Sequence, residues 1–543
     1  MLNSQILARG LTGRIKTQTS ASVPNPFFNG GTPTNAAGEL VVSTATPNIF
    51  VGGLGYANSG ALSIDDSSGA TGVISQGGLA QTPLGRLVCT YGALFTRYIA
   101  GLPVDDLGRL CIDPSGAPPV ANVDLDFTVL PLSPLITYTR AGTATRVNAA
   151  GLVEVVAANA PRLDYNPTTL VVRGLLSEES RVNNATNSED FTLWATKSNV
   201  TVAANTTVAP DGNTTADTLA ENTNNSDHYL ERGITIAANQ AFSYSLWVKP
   251  NGRTTVWITL YSNSYADSIR GGYNFVTKVL TPSQAGTGAL SAFRVVEYPN
   301  GWVRLTLSGQ PSTAVVTDIK LRVMIVNVST TYPGDGVSGF FLWGVQLEAG
   351  IHPTSYIPTA GSAVTRNADL AAISGANFSG FWNVAEGTMF AEGFWIIASD
   401  PGGLRPILGA DDGTTAERMQ IRKSSGSQSN FLSIDNNVQQ FQALVSGSPT
   451  ILSGVLQRMA LAYKLNDYAI AHQGLSNSPL AGTLPTVNII RMGAGTGLPN
   501  MNGHLRRFKY YNTRLLANQL QSITAPDQPP VVSFSSGFNQ GFL

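Results

Sequence analysis

The chain has 543 residues, of which 12% are charged, with 33 Lys and Arg against 34 Asp and Glu for a formal net charge of −1. This length accommodates roughly three or four domains; the charge balance leaves no broad basic field for a nucleic-acid backbone, and no run approaches the about 18 apolar residues of a membrane-spanning helix. With 55 Gly and 30 Pro among abundant Asn, Thr and Ser, the composition argues against a helical enzyme and predicts an all-β, repetitive protein.

Residues 1–26 read as a flexible arm whose short basic cluster, Arg9, Arg14 and Lys16, is a solvated anchor. The arm lacks an apolar core of signal-peptide length. From Phe27 a pattern is written four times: "FFNGGTPTNAAGELVVS", "IFVGGLGYANSGALSID", "VISQGGLAQTPLGRLVC" and "RYIAGLPVDDLGRLCID". Each copy has an aromatic or β-branched start, a first Gly, a polar turn, then Gly-x-Leu and a return strand. The glycines are Gly30 and Gly38, Gly52 and Gly60, Gly77 and Gly85, and Gly101 and Gly108, and the Gly-x-Leu glycines recur every 22 to 25 residues. This predicts an array of β-hairpins over 27–122, reversing at the polar turns. A lone hairpin is marginal in water, so the array should pack on itself or on a partner, as an attachment module does. Cys89 and Cys111 fall at equivalent strand positions, either as two buried thiols or as one bridge between neighbouring strands, and are too few to build a fold.

The Pro-rich stretch 113–124 marks a boundary, and residues 123–182 read as a β-rich connector. Residues 183–365 carry short strand-like runs separated by turns, such as "FSYSLWVKP", "TTVWITLYS" and "GFFLWGVQLEAG", the pattern of two packed antiparallel sheets. Trp247, Trp257 and Trp343 alternate with apolar neighbours and read as core. A second strand-rich block spans 366–524 and closes on a short helical piece, "LLANQLQSIT"; residues 525–543 form a polar tail. The fold class is therefore all-β: an N-terminal β-hairpin repeat module followed by two antiparallel β-sandwich (jelly-roll) domains.

The pieces "ATRVNAAGLVEVVAANAPRLDYNPTT", "GLLSEESRVN", "SEDFTLW" and "GDGVSGFFLWGVQLEAGIHPTSYIPTAGSAVTRNAD" stand in order over about 123–370. This region resembles the modular body of bacteriophage virion fibres, head or tail fibres that carry a carbohydrate-binding-module-like jelly roll. The block 370–524 resembles laminin-G/concanavalin-like lectin sandwiches through "EGTMFAEGFW" and "GHLRRFKYYNTRLLANQLQSIT". The resemblance implies a structural protein of the virion surface, made in the host cytoplasm and anchored by its N-terminal module. It also implies a homo-oligomer, usually a trimer, with capsid or tail proteins and host surface polysaccharide as partners. The other classes are a capsid decoration protein and a capsule depolymerase.

No catalytic constellation stands out. The four histidines, His228, His352, His472 and His504, never fall at zinc-ligand spacing, and no Gly-x-Ser-x-Gly elbow is present. A glycosidase needs two carboxylates across a cleft; Glu189, Asp190, Asp227 and Glu297 read as solvated loop acids. No cofactor is expected. Many jelly-roll sugar modules hold Ca²⁺ with a paired acidic motif on the last strand, absent from "LWGVQL"; Asp335 in "PGDGVSG" offers turn carbonyls and a carboxylate to a cation, or caps its own turn. Saccharide binding needs aromatic faces beside polar groups that read hydroxyls. "NTNNSDHYLERG", "YSNSYADSIRGGYNF" and "YPNGW" supply that mixture, making Tyr229, Tyr261, Tyr265, Tyr273 and Trp302 the glycan-binding candidates.

Overall fold

The computed structural model describes residues 119–526 apart from 237–239, 263–264, 313–317 and 397–402, together with short strands between Phe27 and Cys111. Residues Ala121–Arg514 belong to one compact unit; Met1–Val120 and Leu515–Ile523 belong to another. The described residues are nearly all β, as the composition requires.

In the N-terminal unit each repeat contributes three strands rather than two. Phe27–Asn29 pairs with Thr32–Thr34, Ile49–Val51 with Leu54–Tyr56, and Arg97–Ile99 with Leu102–Val104. Asn29 stands opposite Thr32, Val51 opposite Leu54 and Ile99 opposite Leu102, so these copies reverse once near the first glycine, and the chain reverses again at the polar turn, across which Tyr56 stands antiparallel to Leu62, Gln81 to Leu87 and Val104 to Leu110. Two-residue connections of this kind match the natural strand twist and favour glycine. The Gly-x-Leu segments form third strands that line up parallel: Val42 opposite Leu62, Ile64 opposite Leu87, and Cys89 opposite Leu110. The repeat glycines, the side chains of Cys89 and Cys111, the arm 1–26 and the tail beyond residue 526 lie outside the described residues.

The larger unit holds two sandwiches, one inserted in the other. The stretch expected as a connector is part of the outer sandwich. Val123–Asp126 and Val172–Ser177 both pair with Gly503–Tyr511, and Thr137–Thr139 pairs with Leu370–Ser374. The outer sandwich therefore combines residues from both sides of the jelly roll, in an eight-stranded and a seven-stranded sheet. The apolar alternation of "VDLDF" explains why: Val123, Leu125 and Phe127 join a core with Met389, Trp395, Ile421, Phe431, Leu461 and Phe508. The helix Ala517–Thr524, expected to close this sandwich, has its residues up to Ile523 in the N-terminal unit.

The inserted sandwich packs a seven-stranded sheet on a six-stranded one. Its core includes Leu230, Tyr244, Leu246, Val256, Ile258, Ile269, Leu305, Leu321, Val323, Phe340 and Leu347. The chain enters and leaves side by side, because Arg181–Asn183 pairs antiparallel with Val364–Arg366. Behind this neck lies a buried ion cluster. Arg140, Arg162 and Arg366 surround Glu178 and Asp369, all five at most 2% exposed. Arg162 contacts both carboxylates, Arg140 reaches Asp369 at 3.2 Å, and Arg366 reaches Glu178 at 3.6 Å. The inserted domain's last loop is tied in as well: the Ser355 N–H and hydroxyl donate to Glu178 at 2.8 and 2.7 Å, and buried Glu348 accepts from the Thr354 N–H at 2.9 Å.

Candidate functional site

Strand alternation sends Val256, Ile258 and Leu260 of the strand Thr255–Tyr261 into the core, and so turns Trp257, Thr259 and Tyr261 to the outer surface of the seven-stranded sheet. The same rule turns out Ser268, Arg270 and Gly272 from one neighbouring strand, Ser268–Asn274, and Lys320, Arg322 and Met324 from the other, Asp318–Val326. Register arranges these residues in rows. One runs Glu231, Arg322, Thr259, Arg270; the next Tyr229, Met324, Trp257, Gly272; the third Gly233, Lys320, Tyr261, Ser268.

Trp257 lies over a glycine. A Cβ added at Gly272 would stand 2.6 Å from the indole Cε2, so only glycine lets the ring settle there. Trp257 is half-buried. Beside it, the Arg322 guanidinium stacks among three tyrosines, its carbon 3.8 Å from the Tyr229 ring centroid, 4.5 Å from Tyr265 and 5.3 Å from Tyr261. Arg322 Nε and Nη2 hold Glu231 Oε2 at 2.8 and 2.7 Å, and the Tyr261 hydroxyl donates to the same oxygen. Burial alone would lower the Arg322 pKa, but Glu231 outweighs it and the net shift is upward. Burial, and then the bond to Glu231, push the Tyr261 hydroxyl up, so it remains a donor. Lys320 Nζ sits 3.6 Å from the other Glu231 oxygen. Arg270 stacks on Tyr265 at 4.1 Å, while its Nε donates to Ser268 Oγ at 2.8 Å and its Nη2 to the Tyr265 carbonyl at 3.0 Å.

Three of the five sequence candidates, Tyr229, Tyr261 and Tyr265, meet here. Tyr229 and Tyr265 are half-buried; Tyr261 is 4% exposed beneath them. The other two are corrected. Tyr273 is 2% exposed and faces the core, because it shares a strand face with Ile269. Trp302 is 1% exposed, and its indole N–H donates to the Val208 carbonyl at 3.1 Å. It joins Trp247, Trp343 and Tyr356 in a second aromatic core on the far side of the six-stranded sheet. Trp257, expected in the core, is instead the ring of the outer face. Its parity within "VWITLY" was the available signal, since the residues at 256, 258 and 260 already fill the inner face.

The acids are accounted for locally. Asp190 accepts from the Thr192 N–H at 3.0 Å, Asp227 from the Thr331 hydroxyl at 2.5 Å, and Glu297 pairs with Lys278 at 2.6 Å. Asp335 accepts the N–H groups of Val337 and Ser338 at 2.9 and 2.7 Å, and the Ser338 hydroxyl together with these N–H groups holds its pKa well below the usual range. Glu189 and Asp217 line a cleft of about 450 Å³ with their pKa values raised chiefly by burial. Asp217 is held by the N–H groups of Phe191 and Asn205, Glu189 by the Tyr356 hydroxyl. Among the described residues no group of three His, Cys, Asp or Glu is placed to hold a metal ion.

No protein-family model and no curated protein matches the chain. Solved structures similar to part of it include the CBM40 module of the Ruminococcus gnavus IT-sialidase bound to α2,3-sialyllactose, at 12% identity and a TM-score of 0.23, covering 26% of this chain and 84% of that one. A second is domain 4 of a GH43 arabinanase from Geobacillus stearothermophilus in complex with arabinotriose, at 8% identity and a TM-score of 0.24, over 32% and 82% of the two chains. A third is the NanB sialidase of Streptococcus pneumoniae, at 11% identity and a TM-score of 0.24, where the match spans 28% of this chain and 26% of that enzyme.

Proposed function

We propose that this protein is a non-catalytic attachment protein that binds a saccharide on the outer face of its inserted sandwich. The observation that carries this reading is the half-buried Trp257 ring laid over Gly272, beside the stacked Arg322, Tyr229 and Tyr265. An open aromatic face stacks on a pyranose ring, and neighbouring guanidinium and hydroxyl groups read its hydroxyls. The far side of the same sandwich is taken up by aromatic packing and by the ties to the outer sandwich, which leaves this face as the one equipped for recognition. Asp190, Asp335 and Glu297 are engaged in a cap, a turn and an ion pair, which supports binding over hydrolysis at those three positions.

The resemblance to phage fibres supplies the setting: a virion-surface fibre, anchored to capsid or tail through the N-terminal repeats, trimeric, and directed at host polysaccharide. Oligomerisation would compensate for weak single-site sugar affinity by avidity. The test is binding of the full chain to host cells before and after removal of surface polysaccharide, with W257A in parallel. Saturable binding, lost on stripping and weakened at least tenfold in W257A, is the expected result; binding unaffected by both would refute the reading.

A further inference from the structure

Within the three rows cations outnumber carboxylates; Asp318 and Asp227, on the same face, lie outside those rows and accept from the Thr235 and Thr331 hydroxyls. Glu231 is the one carboxylate in the three rows, and it is shared by Arg322 and Lys320. Among the described residues Arg270 has no acidic partner, its side-chain hydrogen bonds go to the neutral oxygens of Ser268 and Tyr265, and its Nη1 makes none. Arg270 and Arg322 both stack on the Tyr265 ring, at 4.1 and 4.5 Å, so two guanidinium groups are gathered at one ring, and Glu231 lies beyond Arg322 on the side away from Arg270. Lys320 adds a third cation whose side chain is 46% exposed. Like charges held together in partly desolvated positions repel each other, and an anion arriving between them relieves that cost.

We infer that the ligand is an acidic saccharide whose carboxylate is received by Arg270, flanked by Lys320 and Arg322, while a sugar ring stacks on Trp257. This inference rests on the saccharide-binding reading above and narrows it to one chemical class. The planar guanidinium fork suits a carboxylate, which it can hold through two parallel N–H bonds, whereas a neutral hexose offers it only hydroxyls. Arg322 is already committed to Glu231 and Tyr229, so its part is to position and to add field. Arg270 is the direct contact.

The test uses the full chain and isothermal titration against polygalacturonate, alginate, hyaluronan and polysialic acid, each beside its carboxyl-reduced or methyl-esterified form. The expected result is binding of at least one acidic polymer, at least tenfold weaker for its neutral form and weaker still as salt rises. R270A should lose the preference for the acidic form and R270K should recover part of it. K464Q, a surface cation on the outer sandwich, controls for non-specific attraction and should change nothing. Equal binding of acidic and neutral forms, sensitive to W257A but not to R270A, would overturn the acidic ligand and leave the saccharide reading standing. Absence of binding to any acidic or neutral polymer would overturn both. Loss of affinity in K464Q equal to that in R270A would reduce the effect to general polyanion attraction and also overturn the inference.

Discussion

Gly272 and Trp257 show how one residue without a side chain makes a binding surface. The indole lies where a Cβ would otherwise be, so G272A forces the ring off the sheet without touching a polar group. G272A should therefore weaken saccharide binding about tenfold while the protein melts within a few degrees of wild type, as read by titration and calorimetry side by side. A second residue sets acid sensitivity. His472 is fully buried, donates through Nε2 to Gln457 at 2.8 Å, and has no partner for Nδ1. Burial lowers its pKa from 6.5 to about 4. Between these values the unfolded chain takes up a proton that the folded chain refuses. The stabilisation is complete above pH 6.5 and is lost as pH falls toward 4, by up to about 3 kcal/mol. H472Q should flatten the fall in melting temperature over that window; an unchanged slope would show that another group controls it. Much at this scale was legible in strand parity. Tyr261 and Trp257 sit opposite the apolar run Val256, Ile258 and Leu260, but Tyr273 and Trp302 looked equally promising because aromatic content alone does not say which face of a sheet a residue takes.

At the scale of elements, the most recognisable words of the sequence proved to be joinery. "PRLDY" supplies Arg162, "SEES" supplies Glu178, and "TRNAD" supplies Arg366 and Asp369, so three separated motifs meet in one buried cluster. "GVQLEAG" and "HPTSYIPT" meet through Gln346, which accepts the Ile357 N–H at 2.7 Å, and through Glu348 with Thr354. Their spacing could not reveal this, since the partners are up to 207 residues apart. Buried charges of this kind are costly to leave unpaired. D369A strips Arg140 of its carboxylate and Arg162 of one of its two, and should cost roughly 3–5 kcal/mol, measured as a lowered urea midpoint; a loss under 1 kcal/mol would mean that water reaches the cluster. The repeats taught a related lesson. Their period was plain from the glycines, and the reversal that the polar turn advertises is there, with Tyr56 antiparallel to Leu62 and Val104 to Leu110, but a second, tighter reversal between Val51 and Leu54 and between Ile99 and Leu102 was not read from the sequence. What the Gly-x-Leu strand does, pairing in parallel with the next copy, depends on a partner some 20 residues away and leaves no local mark.

For the larger unit as a whole, the topology separates what recognises from what holds. The two sandwich cores share no residue, and the chain crosses between them through a single pair of antiparallel strands in which Asn183 faces Val364. Paired strands stand about 4.8 Å apart, a gap that a two-residue turn closes. Joining Asn183 to Val364 through Asn-Gly should therefore leave an outer sandwich that folds cooperatively from residues of both flanks. It would melt lower than the full chain, because Glu178 loses its bonds from Ser355 and Arg162 loses its bond to the Ser355 hydroxyl. It should bind no saccharide. The excised residues 184–362 should keep their fold through their own core, and keep ligand affinity within a factor of a few, since every residue in the three rows of the binding face lies inside them. If the outer sandwich fails to fold without the insert, the neck is a shared nucleus and not a junction. If it folds and retains the affinity, the recognition surface belongs to the outer sandwich and the rows around Trp257 are only structure.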